Sequence, residues 1–264
     1  MGGRSLHSPA PASAPPLGFS TSRSYGLFPA FRAEYPSGTR CRAPRRATPN
    51  EGNDHDRQRA AKVLELLAER YPDLETHLIA ESPWELLVAT VLAAQCTDKR
   101  VNQVTPELFR RWPDPAALAQ ATIPELEEVI HSVGFYHSKA KHLIAAAQLV
   151  VKEFNGETPN TMKDLIKLPG VARKTANVVL WGGFGINEGL AVDTHVKRIS
   201  GRLGLTKHTD PVDIEKDLVK LFPQSEWGKV NHRMVWFGRH VCDARKPLCD
   251  ECEMAPFCPK VGVE

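Results

Sequence analysis

The sequence has no run of about eighteen apolar residues, and its N-terminus lacks the compact apolar core of a secretory signal. Neither a membrane-spanning helix nor the usual export route is expected, and the expected setting is the cytoplasm, where disulfides are not maintained. No segment alternates polar and apolar residues as a half-buried strand does, and no period of solenoid length recurs. Lysine is absent from residues 1–53, which hold seven Arg and two acidic residues, Glu34 and Glu51. That segment carries the whole of the formal +3 charge, because from Asp54 onward 27 basic residues face 29 acidic ones. Net charge therefore gives no support for nucleic-acid binding, which has to rest on local clusters of Lys and Arg.

What residues 1–53 do contain is Pro, Ala, Ser, Gly and Arg without apolar periodicity, a composition that cannot bury a core. They read as a disordered basic tail. An organelle transit peptide, an unused upstream start and a DNA-tethering arm fit the same composition. From Asp54 the chain turns to helices. Arg57 to Tyr71 forms one, and Ser82 to Gln95 another, with Ser82 as N-cap, Pro83 at the first position and Glu85 closing a capping box. Trp84 to Ala94 is apolar on nearly every side, so this helix belongs at the centre of a bundle. Thr122 with Glu125 repeats the capping-box spacing, Asn155-Gly156 ends a helix begun near Ser138, and Asp210-Pro211 opens another. The expected fold class is all-α, with short connections.

Four of the six cysteines, Cys242, Cys249, Cys252 and Cys258, fall within seventeen residues, while Cys41 and Cys96 stand alone. Crowded thiols in a reducing compartment point to a metal. Structural zinc more often uses two symmetric C-x2-C knuckles than gaps of six, two and five.

The segment Asp164 to Val179 reads as a helix end, a Pro-Gly turn at Pro169-Gly170 and a new helix from about Val171, which is a helix-hairpin-helix. Such a turn aims backbone N–H groups and the positive end of the second helix outward, as a phosphate requires, and Lys167 and Arg173 add charge beside it. A plain tight turn between packed helices would look the same, were it not for Lys174. LPGVARKTANVV followed by AVDTH, nineteen residues after the lysine, resembles the endonuclease III family of helix-hairpin-helix DNA glycosylases, from about Asp54 to the C-terminus. The resemblance implies that Lys174 is the amine nucleophile that attacks C1′ of the damaged nucleotide and Asp193 the catalytic carboxylate. The chemistry holds independently: an amine can displace a base and leave a Schiff base, from which β-elimination cuts the strand. An amine must be neutral to attack, so its surroundings have to disfavour the ammonium, and the helix N-terminus, Arg173 and desolvation would all do so. Asp193 would stabilise the oxocarbenium-like sugar and assist proton transfer; as a side chain before THVKRI it also reads as a helix N-cap.

The same resemblance assigns the four cysteines to a 4Fe-4S cluster, which four thiolates satisfy completely, and brings Arg245 and Lys246 on the intervening loop to the DNA backbone. Glycosylases flip the target base out, and a side chain fills the hole. Gln95, in AAQCTD, matches the family's intercalating glutamine, and Phe135, Tyr136 and His137 are candidate wedges on the opposite strand; aromatic packing onto the core is the plainer reading of Phe135. Two positions depart from the family pattern: Ala172 stands where glycine is usual, which bears on the approach to phosphate, and Cys96 where alanine is common. His195 shows no ligand-like spacing, and Trp181, Trp227 and Trp236 read as core.

The implied architecture is two helical domains, a six-helix barrel with the hairpin (residues 76–186) and an iron-sulfur domain (54–75 with 187–264), flanking a DNA-binding cleft that holds Lys174 and Asp193. The implied activity is that of a monomeric bifunctional glycosylase and AP lyase acting on double-stranded DNA with damaged bases or abasic sites, its lesions oxidised pyrimidines, without a membrane partner and associated with the nucleoid. A monofunctional mismatch glycosylase shares hairpin, aspartate and cluster but usually lacks the lysine. A non-enzymatic DNA-binding iron-sulfur module would leave the Lys174 and Asp193 pairing as coincidence.

Overall fold

A computed structural model describes residues 54–72 and 78–263. The expected tail, with Cys41, and the barrel boundary at Thr76 lie outside the described residues. Among the described residues there are eleven α-helices, two short 3-10 turns and no strand. The helices are α1 Asp54–Arg70, α2 Pro83–Ala93, α3 Asp98–Arg111, α4 Pro115–Ala119, α5 Ile123–Ile130 and α6 Tyr136–Phe154, followed by α7 Met162–Leu165, α8 Arg173–Phe184, α9 Thr194–Arg202, α10 Pro211–Leu221 and α11 Trp227–His240.

Local chemistry sets most of the starts. Ser82 accepts from Glu85 N, Thr97 from Arg100 N, Asp114 from Ala117 N and Asp210 from Val212 N, each supplying an acceptor to a first-turn N–H. The capping box at Thr122 and Glu125 is complete. At Ser82 only half of it forms, because the Glu85 carboxylate takes the N–H of Glu81 at 2.6 Å rather than that of Ser82. Asn155 ends α6 in the left-handed conformation, and α6 starts two residues before Ser138, at Tyr136.

Two separate cores form. Every residue of α2 from Leu86 to Leu92 is buried, and so is Trp84, so α2 runs through the middle of the first core. Around it lie Val101, Val104 and Leu108 of α3, Leu126 and Ile130 of α5, Leu143 and Ala147 of α6, and Val179 and Leu180 of α8. α8 comes close to α2 because Gly182 has no side chain: a Cβ there would sit 2.8 Å from Leu86 Cδ2. The second core takes Ala60, Val63 and Leu67 from α1, at the start of the described chain, and joins them to α9, α10 and α11. The apolar stripes of α9 and α10 alone could not enclose these residues, so α1 is recruited across the intervening helices. Cys242, Cys252 and Cys258 pack against this second core.

Among the described residues, contacts from several helices tie the cores together. Asp98 Oδ2 of α3 pairs with Arg239 Nη2 of α11 at 2.9 Å. Arg173 of α8 grips Glu215 of α10. Trp181 of α8 lies against Gly228 of α11, where a Cβ would overlap the indole.

Candidate active site

The hairpin is built on one glycine. Leu168-Pro169-Gly170-Val171 closes with Val171 N donating to Leu168 O at 3.0 Å, and Gly170 has φ +82°, the third-position geometry of a type II turn. A Cβ at Gly170 would also press on His142 at 3.1 Å. α8 follows with Ala172 as N-cap, which has no side chain able to accept from the first-turn N–H groups. Those donors face outward beside the positive end of the helix. Ala172 has φ −91°, a backbone any L-residue adopts, so glycine is not required there.

Lys174 is the second residue of α8 and is exposed. Asp193 precedes α9 and caps it: Oδ1 accepts from His195 N at 2.9 Å and Val196 N at 2.8 Å. Both bonds go to one oxygen, which fixes the carboxylate and leaves Oδ2 as the acceptor for the cleft. Lys174 and Asp193 line the same cleft, of about 550 Å3, together with Gln95, Asp98, His195 and Arg239. The first core supplies the lysine and the glutamine, and the second supplies the aspartate.

His195 is half-buried. Burial pushes its imidazole below the ordinary value, ahead of the opposing pull of Asp193. Its Nδ1 lies 3.1 Å from Arg198 Nη2, and since a guanidinium only donates, Nδ1 is the acceptor and the proton of the neutral ring sits on Nε2. Arg198 also donates to the carbonyls of Gly238 and Cys242 at 3.0 Å each.

The four cysteines border one apolar cavity with Ile199, Phe237 and Met254. Burial raises the Cys252 and Cys258 thiols, and neighbouring cysteines push in the same direction, Cys242 on both of them. Arg202 Nη1 donates to Cys242 Sγ at 3.3 Å and to Asp243 O at 2.6 Å, and its own carbonyl lies 3.4 Å from Cys258 Sγ. Four soft donors on a dry wall, with a guanidinium at one sulfur, form a donor set that suits a thiolate-held metal group. Among the described residues no group of three or more His, Cys, Asp or Glu is arranged as a single-ion site.

The other sequence-derived candidates are spread along the faces beside the cleft. Arg173 Nε and Nη2 reach Glu215 at 2.6 and 3.0 Å, which holds its guanidinium on α10. Lys167 pairs with Asp164 at 2.8 Å at the exposed hairpin. Arg245 and Lys246 are exposed, but their backbone N–H groups are turned to Asp243 at 2.8 and 3.1 Å, so only their side chains are available to a ligand. Phe135 is 66% exposed and left-handed at φ 60°, so aromatic packing onto the core does not describe it. Tyr136 does pack against the first core. His137 is exposed, with Nδ1 2.8 Å from Glu127. Trp181 is buried, and Trp227 Nε1 donates to Phe222 O at 3.0 Å.

Sequence reasoning passed over Glu215, Arg202 and Lys139, because each acquires its role from a partner more than thirty residues away. Lys139 alone left a local trace, an odd polar position on the buried side of α6.

Comparison with known proteins gives a consistent result. Residues 88–224 match the HhH-GPD superfamily base excision DNA repair protein family. The chain is 55% identical to Endonuclease III of Synechocystis sp. over 203 residues, 77% of this chain and 93% of that one. It is 40% identical to Endonuclease III of Bacillus subtilis over 196 residues, 74% and 89% of the two chains. Among solved structures, a trapped Endonuclease III–DNA covalent intermediate superimposes with TM-score 0.74 at 41% identity, covering 77% of this chain and 96% of that one. A thermostable thymine-DNA glycosylase shares the fold, with TM-score 0.67 at 20% identity over 79% of this chain and 97% of that one.

Proposed function

The chain belongs to the endonuclease III family of the HhH-GPD superfamily and is a base-excision repair glycosylase with AP-lyase activity; from that premise we propose that Lys174 and Asp193 carry out its chemistry on damaged double-stranded DNA. The observation that supports this is the shared cleft, into which the first core brings an exposed amine and the second a carboxylate already fixed by its helix.

The lone pair of Lys174 Nζ forms a bond to C1′ as the glycosidic C–N bond breaks; the electron pair of the broken bond leaves with the base, which takes a proton from water. Asp193 Oδ2 faces the positive charge developing on the sugar and takes a proton from the attacking nitrogen. Asp193 returns that proton to O4′ as the C1′–O4′ bond breaks, and the remaining nitrogen lone pair forms the protonated Schiff base between Nζ and C1′. A water molecule then takes a C2′ proton, the C2′–H electron pair forms a C2′=C3′ double bond, and the electron pair of the C3′–O bond leaves with the 3′ phosphate. Both bonds to Asp193 Oδ1 come from backbone N–H groups, so the carboxylate is preorganised and need not reorient.

Binding divides into phosphate contacts and contacts in the base stack. The uncapped start of α8, the Gly170 turn, Lys167 and the side chains of Arg245 and Lys246 fall in the first class. Gln95 and the exposed Phe135 fall in the second; Tyr136 packs inward and His137 is tethered, so they serve as supports. Arg173 acts through Glu215, holding the start of α8 in place. The two cores are read as the two domains, residues 76–186 and 54–75 with 187–264. Oxidised pyrimidines are the proposed lesions.

Cys242, Cys249, Cys252 and Cys258 would hold a 4Fe-4S cluster, which when bound supplies a rigid anchor for the loop between the first two cysteines. Arg202 fixes that loop from the protein side through Asp243 O and Ala244 O at 2.6 and 2.9 Å. No helix among the described residues is long and apolar enough to cross a membrane.

Borohydride reduction in the presence of a duplex carrying thymine glycol or an abasic site tests the assignment. A covalent adduct is expected from the wild type and from Asp193→Asn at reduced yield, and none from Lys174→Ala. An adduct that persists in Lys174→Ala would move the nucleophile elsewhere.

A further inference from the structure

Lys139 is the one lysine among the buried polar residues of the described chain, 5% exposed on the inner side of α6, and the chemistry above makes no use of it. Its Nζ donates to Leu92 O at 2.9 Å and to Ala94 O at 2.6 Å. These are carbonyls at the C-terminal end of α2, where the intrahelical donors run out and the helix dipole is negative. The next residue is Gln95, held at φ 54°, in the left-handed region that a non-glycine side chain adopts only under constraint. Burial pushes the Lys139 ammonium below its ordinary value, the desolvation cost of placing an amine on the inner side of α6.

The same residue is bonded to the second loop. Lys139 N donates to Phe135 O at 3.1 Å, and Phe135 is also left-handed. The two loops abut, since the Gln95 carbonyl lies 3.4 Å from where a Cβ on Gly134 would stand. Lys139 thus stands where two left-handed, exposed residues about forty positions apart meet: its Nζ holds the turn before Gln95, and its amide makes the first backbone bond of the helix that Phe135 opens.

We propose that Lys139 is a positioning residue for base extrusion: its ammonium clamps the end of α2 and sets Gln95 and Phe135 as one rigid unit, aimed at the gap the flipped nucleotide leaves. This rests on the reading of Gln95 and Phe135 as the side chains that enter the base stack. The clamp touches neither Lys174 nor Asp193, so it should govern access to a base in a duplex and leave the covalent chemistry alone.

The experiment compares Lys139→Met, Lys139→Gln, Gln95→Ala and the double variant Lys139→Met/Gln95→Ala as full-length, cluster-loaded protein. Each is run in single turnover on duplex thymine glycol and on a single-stranded oligonucleotide with a preformed abasic site. Lys139→Met should slow duplex excision tenfold to a hundredfold, the order expected when a contact group is misplaced by about 1 Å, with single-strand β-elimination at the wild-type rate. Lys139→Gln, which keeps one donor, should fall between. The double variant should be no slower than the slower single variant, because both act through Gln95. Normal duplex excision by Lys139→Met beside a slow Gln95→Ala would overturn the clamp and leave the glutamine reading standing. Normal excision by Gln95→Ala would overturn both. Equal losses on the two substrates, or failure of both Lys139 variants to fold, would make Lys139 a stability residue and end the proposal.

Discussion

Arg173 and Glu215 form a two-bond ion pair, Nε to Oε2 at 2.6 Å and Nη2 to Oε1 at 3.0 Å, one residue before Lys174. Glu215 is buried, and the Asn177 amide donates to the same Oε1 at 3.3 Å. Gly189, in the strand-free link between α8 and α9, lies so close that a Cβ would overlap Glu215 Oε1. The pair therefore locks the start of α8 to α10 and to that link, and through them sets the lysine's helix against the aspartate's.

Glu215→Gln keeps the volume and removes the charge. Stability should fall by about 1–3 kcal/mol, since Arg173 is half-exposed and keeps access to water. Urea denaturation measures this, and Gly189→Ala, which displaces the carboxylate, should follow it in direction. Unchanged stability in both would mean that the pair is not a lock.

Asp193 has two duties that one pair of variants separates. Asn caps a helix as well as Asp does, so Asp193→Asn should stay within about 0.5 kcal/mol of wild-type stability while excision drops on the order of 10²–10⁴-fold. Asp193→Ala should lose the same activity and a further ~1 kcal/mol of stability. If Asp193→Asn excises at the wild-type rate, the carboxylate is only a cap.

Phe135 carries the opposite signature. Its left-handed backbone favours glycine, so Phe135→Gly should hold or raise stability by up to about 1 kcal/mol while slowing excision from duplex DNA. A thermal melt beside a single-turnover assay shows whether stability and activity move apart in this way.

The His195 imidazole is depressed chiefly by burial. A histidine whose folded value lies below its unfolded one, ~6.5, contributes stability that is complete above that unfolded value and is lost as pH falls through the folded one. His195→Gln should flatten the decline in melting temperature from about pH 6.5 downward. An identical decline in both proteins would remove His195 from the acid response.

Replacing Cys249 by Ala should abolish the absorbance of the proposed cluster and weaken duplex binding, because the loop bearing Arg245 and Lys246, between Cys242 and Cys249, loses one of its fixed ends. Lys174 stands on the other core, so adduct formation at saturating DNA should be reduced less than affinity. Electrophoretic mobility shift and borohydride trapping on the same preparation separate the two.

Much of this was legible in the chain because it is local. A capping serine, threonine or aspartate finds its N–H within three residues, so the starts of α2, α5 and α10 follow from Ser82, Thr122 and Asp210. Gly170 is fixed by a turn of four residues. The burial of α2 follows from its composition, since an apolar surface all round has to be covered. Even at Ser82 the reach of locality ended, because Glu85 had two adjacent N–H groups to choose between and took that of Glu81.

By itself, then, the sequence determined the helical class, the hairpin, the lysine and aspartate with their spacing, and the set of cysteines, all properties of residue types at short range. Tertiary structure alone decided which charges would be spent inside the protein. Buried Glu215 was met by Arg173, buried Lys139 by the end of α2 and buried Arg202 by the Cys242 loop. A charged side chain leaving water must find its partner wherever the packed chain happens to place one, and periodicity along the sequence carries no record of that place.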